Sequence, residues 1–311
     1  MRFQEILGQD VAISQLKRAH AHHRLSHAYI FDGPRGVGKM TTARALAALL
    51  LCEAPQGDDA CGQCDACRQL VVGTHPDCII VEPDGKSIKI KQIRDLRARL
   101  SNTASYGGYT VVLIDDADTM GIEAANAFLK TVEEPVGPTC FVLVTTHADR
   151  LPDTIRSRAQ LVRFKSLSEA NILRLLGRDD EDARMAVDLA NGSLAQARAI
   201  LEDDDARMLR VQRKRELETL LKSLSTTHDG ALLRFSDAFN GDRDAVREEI
   251  LLIRRHYRHR LNQALSDGTD LSRPIHILHQ TTTALERLET NTESSLILGA
   301  LLIEMARALR Q

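Results

Sequence analysis

The stretch Phe31-Asp32-Gly33-Pro34-Arg35-Gly36-Val37-Gly38-Lys39-Met40-Thr41-Thr42 constrains this chain more than any other. It has the spacing Gly-x4-Gly-Lys, with an apolar run over 28–31 before it and a helix-forming run over 42–50 after it. Strand, glycine-rich loop and helix in that order build a cradle where backbone N–H groups, a lysine ammonium and a helix N-terminus converge on phosphate oxygens. Gly33, Gly36, Gly38, Lys39 and Thr41 are therefore candidate nucleotide-binding residues. One residue departs from the pattern. A hydroxyl after the lysine helps to hold Mg²⁺, and this chain has Met40 there.

A phosphate loop needs a second, acid-tipped strand, and residues 109–118 supply it. The apolar run Val111-Val112-Leu113-Ile114 ends in Asp115-Asp116, placing Asp115 to reach the Mg²⁺ shell. Further apolar runs at 78–82, 140–146 and 161–164 read as buried strands, with helical patterns between them at 90–100 and 122–134. In the first helix, near 11–19, Val11, Leu16 and Ala19 share a face; in the helix after the acids, Ala125, Leu129 and Val132 do. Strands alternating with helices from 28 to 164 predict a doubly wound α/β domain with its crevice at the strand C-termini.

Six cysteines fall into two classes. Cys52, Cys61, Cys64 and Cys67 have the spacing Cys-x8-Cys-x2-Cys-x2-Cys, which suits a structural, tetrahedral Zn²⁺ with no position left open for catalysis. The excursion through Pro55, Gly57, Asp58 and Asp59 reads as a flexible segment that only a metal clip would order. Cys78 and Cys140 stand alone in apolar runs and are expected in the core. His20, His22, His23 and His27 are interspersed with Arg18 and Arg24 and lack acidic neighbours, so they read as a solvated helix end rather than a metal site.

From Ser166 onward no strand is visible. Short helices are expected to start at Ser168 and to cover 183–190 and 194–201, with Ser193 capping the last. The acidic run 202–205 is a hinge candidate, and long amphipathic helices follow at about 206–224, 229–240, 242–266, 271–290 and 292–310. The last is so apolar that it must be buried. This divides the 311 residues into an α/β domain (1–165, with the cysteine insertion at about 52–67), a small helical domain (166–205) and an all-α domain (206–311). A net charge of −2 argues against a protein that coats nucleic acid by charge alone, while leaving room for a local basic face. No run approaches ~18 apolar residues and the N-terminus carries no apolar signal segment, so the expectation is a cytoplasmic, non-membrane protein.

Taken together these motifs resemble the bacterial clamp-loader family, AAA+ proteins of the DNA polymerase III holoenzyme that open the sliding clamp and place it on DNA. The resemblance is carried by Ile6-Leu7-Gly8-Gln9-Asp10, His27-Ala28-Tyr29, the cysteine insertion, the run from Ala125 to Pro135, and Arg156-Ser157-Arg158 in place of the family's Ser-Arg-Cys motif. It covers about residues 1–200 firmly and the remainder by length and helicity. It implies an AAA+ α/β domain, a helical lid and an oligomerising collar. The partners implied are the ATP-hydrolysing gamma/tau subunits, the delta subunit, the beta sliding clamp and primed DNA.

Within that family the chain resembles a catalytically silent member. Met40 replaces the metal-holding hydroxyl, Asp116 stands where active members carry a water-positioning Glu, and Gly192-Ser193-Leu194 is followed by Ala195 rather than a phosphate-contacting Arg. The chain also ends without the long tail of tau. Losing one preorganised charge stabiliser commonly costs ~10² or more in rate, so losing three leaves little. Arg158 occupies the position of the family's trans-acting arginine finger, and Thr145 or Thr146 that of its γ-phosphate sensor. The resemblance thus implies an activator of a neighbour's ATPase, with ATP and Mg²⁺ binding of its own in doubt. A gamma/tau-like ATPase is the enzymatic alternative, and a repair or recombination AAA+ protein a third.

Overall fold

Strand β1, Ala28–Asp32, has its first four side chains sealed from solvent, as a strand covered by helices on both faces requires. In the computed structural model, which describes residues 1–100, 108–133, 137–202, 204–239, 241–288 and 292–310, β1 lies inside a five-stranded sheet. The other strands are β2 (Cys78–Val81), β3 (Thr110–Ile114), β4 (Thr139–Thr145) and β5 (Gln160–Arg163). The order is β2-β3-β4-β1-β5, and every pairing is parallel. Asp32 pairs in register with Thr145 on one side and Arg163 on the other, so the loops leaving β1 and β4 emerge at one level. That is the crevice where such sheets bind ligands.

Six helices accompany the sheet: α1 (Asp10–Ala21), α2 (Lys39–Leu51), α3 (Asp65–Val72), α4 (Ile90–Leu100), α5 (Ile122–Glu133) and the single turn α6 (Asp153–Arg156). The inner residues of α2 are mostly alanine, which lets the helix lie close to the strands, and Ala43, Ala45, Leu46 and Ala47 are fully buried. Two helix faces differ from the sequence reading. Val11 is 74% exposed, and α1 instead buries Ala12, Ile13 and Leu16; Ala19 does not join them. In α5 the large inward residue is Phe128, edge-on to Phe141 of β4, while Leu129 is only half-buried. Both helices carry apolar residues on adjacent stripes, and the sheet selects the stripe that packs. Of the two lone cysteines, Cys140 is buried and Cys78 half-buried; burial pushes their thiols up to about 12 and about 11.

Three short helices follow: α7 (Glu169–Leu176), α8 (Glu181–Leu189) and α9 (Leu194–Glu202). Ser168 Oγ accepts from the Asn171 N–H at 3.2 Å and Ser193 Oγ from the Gln196 N–H at 3.2 Å, satisfying first-turn donors that have no intrahelical partner. Backbone contacts gather Met1–Leu201 into one compact unit and Glu202–Gln311 into a second, with the division at the start of the acidic run 202–205. Helices α7 and α8 thus lie within the first unit. Glu134 and Pro135 of the motif run fall outside the described residues.

The second unit is α10 (Asp204–Ser223), α11 (Asp229–Asp237), α12 (Arg243–Asp267), α13 (Ser272–Leu288) and α14 (Ser294–Arg310). Its core includes Leu217, Val246, Ile253, Ile277, Leu298 and Leu302. Gly299 lets α14 approach α11: a Cβ there would lie 2.9 Å from both Leu233 and Ser236. Leu296, expected inside, is 55% exposed because the buried stripe of α14 runs through Ile297, Leu298, Leu301 and Leu302. Among the described residues no helix is long and apolar enough to cross a membrane.

This core also holds a carboxyl. Glu249 is 2% exposed, its Oε1 has no hydrogen-bond partner among the described residues, and burial pushes its pKa up to about 8 despite the nearby Arg213. The folded chain therefore keeps a proton that the unfolded chain releases near 4.5, and stability falls as pH rises from about 4.5 to about 8. A shift of this size corresponds to about 3–5 kcal/mol. Denaturant unfolding of Glu249→Gln should lose this downward slope between about pH 4.5 and 8 and exceed the parent's stability by a few kcal/mol at pH 8. Equal pH dependence in the two proteins would show that Glu249 is not the group responsible.

Candidate phosphate loop and metal centre

The loop between β1 and α2 is shaped by contacts on both flanks. Gly36 has φ +73°, and a Cβ on it would come within 2.3 Å of Ser193 Oγ and 2.8 Å of Ala195 Cβ. The Gly36 carbonyl accepts from the Leu194 N–H at 3.0 Å. The start of α9 is thus seated on the loop, with Ala195 packed against Gly36. Gln9, buried in the first unit, donates to Val37 O at 3.1 Å and Lys165 O at 2.7 Å, and accepts from the Lys165 N–H at 3.2 Å. One amide ties the N-terminal segment, the loop and the chain leaving β5.

Lys39 is 6% exposed, and its ammonium donates to Gly33 O and Pro34 O, each at 2.6 Å. Burial lowers its pKa, opposed by Asp115, Asp116, Asp32 and Asp118. Met40 is half-buried, Thr41 is exposed, and the buried Thr42 hydroxyl is committed to Gly38 O at 2.9 Å. No hydroxyl therefore replaces the one Met40 lacks: the two threonines that follow are displaced around the helix, one outward and one into its own backbone.

The acids lie across the crevice. Burial raises the pKa of Asp115, and its Oδ1 accepts from the Asp116 N–H at 3.0 Å. Asp116 adopts a left-handed backbone (φ 41°, ψ 49°), and its carboxylate lies 3.6 Å from the exposed guanidinium of Arg35. Thr145, fully buried at the end of β4, donates to Asp118 Oδ1 at 2.5 Å and accepts from the His147 N–H at 3.0 Å. The structure thus brings Lys39, Asp115 and Asp116 into one charged neighbourhood. The Thr145 hydroxyl proton is directed to Asp118.

The cysteine cluster passes a geometric test for a tetrahedral metal. The thiol atoms of Cys52, Cys61, Cys64 and Cys67 all lie within 4.8 Å of one another. Three of the separations are 3.9 Å (Cys52–Cys64), 4.0 Å (Cys61–Cys67) and 3.8 Å (Cys52–Cys67). A tetrahedron with Zn–S bonds of ~2.3 Å has edges of ~3.8 Å. Cys61 Sγ accepts from the Gln63 and Cys64 N–H groups at 3.4 Å each, Cys52 Sγ from the Cys61 N–H at 3.3 Å, and Cys64 Sγ from the Cys67 N–H at 3.4 Å. Backbone donors of this kind favour thiolates: they bring Cys61 down to about 6, whereas burial pushes Cys67 up to about 12. The four residues can hold a metal such as zinc, and with four sulfur ligands the ion would be structural.

The excursion 55–59 is not ordered by the cysteines alone, contrary to the sequence reading. Asp59, 8% exposed, accepts from the Phe3 and Gln4 N–H groups at 3.0 and 3.1 Å, and Lys17 pairs with Asp58 at 3.1 Å. These carboxylates fasten the insertion to the N-terminus.

Arg158 lies just after α6. Its Nη1 donates to Thr154 O at 3.0 Å and to Ser157 Oγ at 3.4 Å, and its Nη2 pairs with Glu133 Oε1 at 2.8 Å. The Arg158 and Glu133 side chains are 41% and 44% exposed, so the guanidinium is aimed by its partners yet accessible from outside the chain. Gln9, Asp59, Asp118 and Glu133 are the polar residues that sequence reasoning left without a role. Gln9 and Glu133 sat in quoted motifs, but their partners are 156 and 25 residues away in the chain.

A family model described as DNA polymerase III, delta subunit, matches residues 8–168, just over half of the chain. The chain belongs to the bacterial clamp-loader AAA+ family. Among curated relatives, the DNA polymerase III subunit delta' of Pseudomonas aeruginosa is 46% identical over 135 residues, 43% of this chain and 41% of that protein. The delta' subunit of Bacillus subtilis is 39% identical over 184 residues, 58% of this chain and 56% of that protein. The tau subunit of the same organism is 36% identical over 173 residues, 55% of this chain and 30% of that protein. The chain thus spans about half or less of the length of these relatives. Relatives named delta' and relatives named tau both match.

Proposed function

We propose that the chain is a delta-prime subunit of the DNA polymerase III clamp loader, a largely ATPase-silent arm that lends Arg158 to a neighbouring ATPase subunit. The observation that carries this reading is the pairing of an aimed, accessible Arg158 with a loop whose own chemistry is incomplete. At that loop, Met40 offers no oxygen to a metal, Ala195 offers no cation to a phosphate, and Lys39 is held by the carbonyls of Gly33 and Pro34. Asp116 is one methylene shorter than glutamate and leans toward Arg35. Gly33, Gly36, Gly38, Lys39, Thr41 and Asp115 then preserve the shape of a nucleotide site more than its turnover.

In this reading residues 1–165 form the AAA+ domain with a zinc-clipped insertion at Cys52, Cys61, Cys64 and Cys67, residues 166–205 the lid and residues 206–311 the collar. The partners are gamma/tau and delta subunits, the beta sliding clamp and, through the complex, primed DNA, in the cytoplasm. A gamma/tau-like ATPase is the second reading, favoured by the retained Lys39 and by the match to tau. ATP turnover by the purified chain, with and without primed DNA, tests the silent reading. Turnover should stay at background and be unmoved by Lys39→Ala; DNA-stimulated turnover that Lys39→Ala abolishes would establish the second reading.

A further inference from the structure

Glu133 ends α5 in a place that local preference does not favour. A carboxylate there lies beside the unpaired carbonyls of a helix C-terminus, whose partial charge is negative. Arg158 offsets that cost, its Nη2 pairing with Glu133 Oε1 at 2.8 Å. Among the described residues no other cation lies within ion-pair distance of Glu133. A residue that weakens its own helix end and meets a cation from another element is placed by what the pair does.

The frame beneath the pair is rigid. Val132, next to Glu133, and Ile155, next to Thr154, are both buried in the sheet core. They fix the helix end that carries the carboxylate and the turn that carries the Thr154 carbonyl. Thr154 O accepts from Arg158 Nη1 at 3.0 Å, and Ser157 Oγ accepts a longer bond from the same nitrogen at 3.4 Å. A guanidinium has five N–H donors. These three bonds leave the Nε proton and one Nη2 proton uncommitted, enough for a two-point contact with phosphate oxygens. The arginine is therefore fixed in aim without being used up. Without Glu133 only Nη1 is tied, and the other side of the planar group is free to swing.

We propose that Glu133 is a positioning residue for Arg158, fixing the orientation in which the guanidinium meets a phosphoryl group on a neighbouring subunit. This rests on the reading of Arg158 as a finger and adds to it the residue that sets its geometry. Both side chains are more than 40% exposed, so the pair does little for fold stability and its worth lies in aim. Reach and an acceptor oxygen are what the role requires. Aspartate is one methylene shorter and opens the 2.8 Å contact, whereas glutamine keeps both the reach and an acceptor. An arginine released from a fixed geometry regains its rotamers and is correctly placed for about a tenth of the time.

The test is steady-state ATP turnover of the loader reconstituted with gamma/tau and delta subunits and with variants of this chain. Glu133→Ala and Glu133→Asp should each lower kcat about tenfold at the site Arg158 serves. KM for ATP should stay within about twofold, because a finger acts on the transition state. Glu133→Gln should recover most of the loss. In the double variant, Glu133→Ala should add nothing to Arg158→Ala, the mark of two residues acting as one unit. A kcat unchanged or raised in Glu133→Ala, beside a loss in Arg158→Ala, would overturn the positioning role and leave the finger standing. Losses that add in the double variant, or a Glu133→Gln as slow as Glu133→Ala, would overturn it as well. No loss in Arg158→Ala would remove the finger and the positioning role together.

Discussion

Cys61→Ser is expected to reduce bound zinc from about one ion per chain to a small fraction and to unfold the insertion. The four sulfurs already lie at nearly tetrahedral spacing, and beyond them the insertion is held chiefly by Asp58 and Asp59. The local core there is small, made of Ala48, Ala60, Leu70 and the cysteines themselves. Structural zinc contributes about 10–16 kcal/mol in peptides of comparable size, far more than such a cluster can bury. Because Asp59 pins the insertion to Phe3 and Gln4, the loss should also loosen the N-terminus, readable as faster amide exchange at residues 3–5. The sheet should survive, since its core contains no residue of the insertion. Metal analysis and near-native sheet signal after chelation check the two halves of this expectation. Zinc must also compete with protons at the thiols, so its affinity should fall as pH drops toward and below the value of about 6 at Cys61. Full metal content and unchanged exchange in Cys61→Ser would remove the zinc assignment.

Arg158→Ala, assembled with gamma/tau and delta subunits, is expected to lower the ATP turnover of the complex by ~10³ at the site it serves. An arginine supplied in trans neutralises charge that develops on the transferring phosphoryl group, and such fingers contribute ~10³–10⁵. Three acceptors, Thr154 O, Ser157 Oγ and Glu133 Oε1, aim the guanidinium, so little conformational freedom remains to be lost when it meets a neighbour's nucleotide. The half-exposed Arg158–Glu133 pair is worth well under a few kcal/mol to the fold, so the substitution should leave assembly intact. Arg158→Lys should recover only part of the loss, because a point charge replaces a planar fork. Native assembly with unchanged turnover would reduce Arg158 to a surface ion-pair residue.

Much of this was legible in the sequence because it is local. The loop, the acid-tipped β3 and the cysteine spacing each lie within a dozen or so residues, and their chemistry follows from spacing. Helix faces were less legible where apolar residues line adjacent stripes, as at Val11 against Ile13 and Leu296 against Ile297. What could not be read were contacts that tie distant segments. Gln9 reaching Lys165, Asp59 holding Phe3 and Glu133 holding Arg158 depend on the sheet having brought those positions together. Glu249 has no local signature either; a glutamate on an amphipathic helix reads as solvated until the bundle closes over it.

The most direct measurement is steady-state ATP turnover of one reconstituted loader in which this chain carries either Lys39→Ala or Arg158→Ala. A silent arm that donates its arginine requires that Lys39→Ala leave turnover unchanged and that Arg158→Ala depress it with assembly preserved. The reverse pattern, loss with Lys39→Ala and none with Arg158→Ala, would contradict the account and make this chain one of the motors.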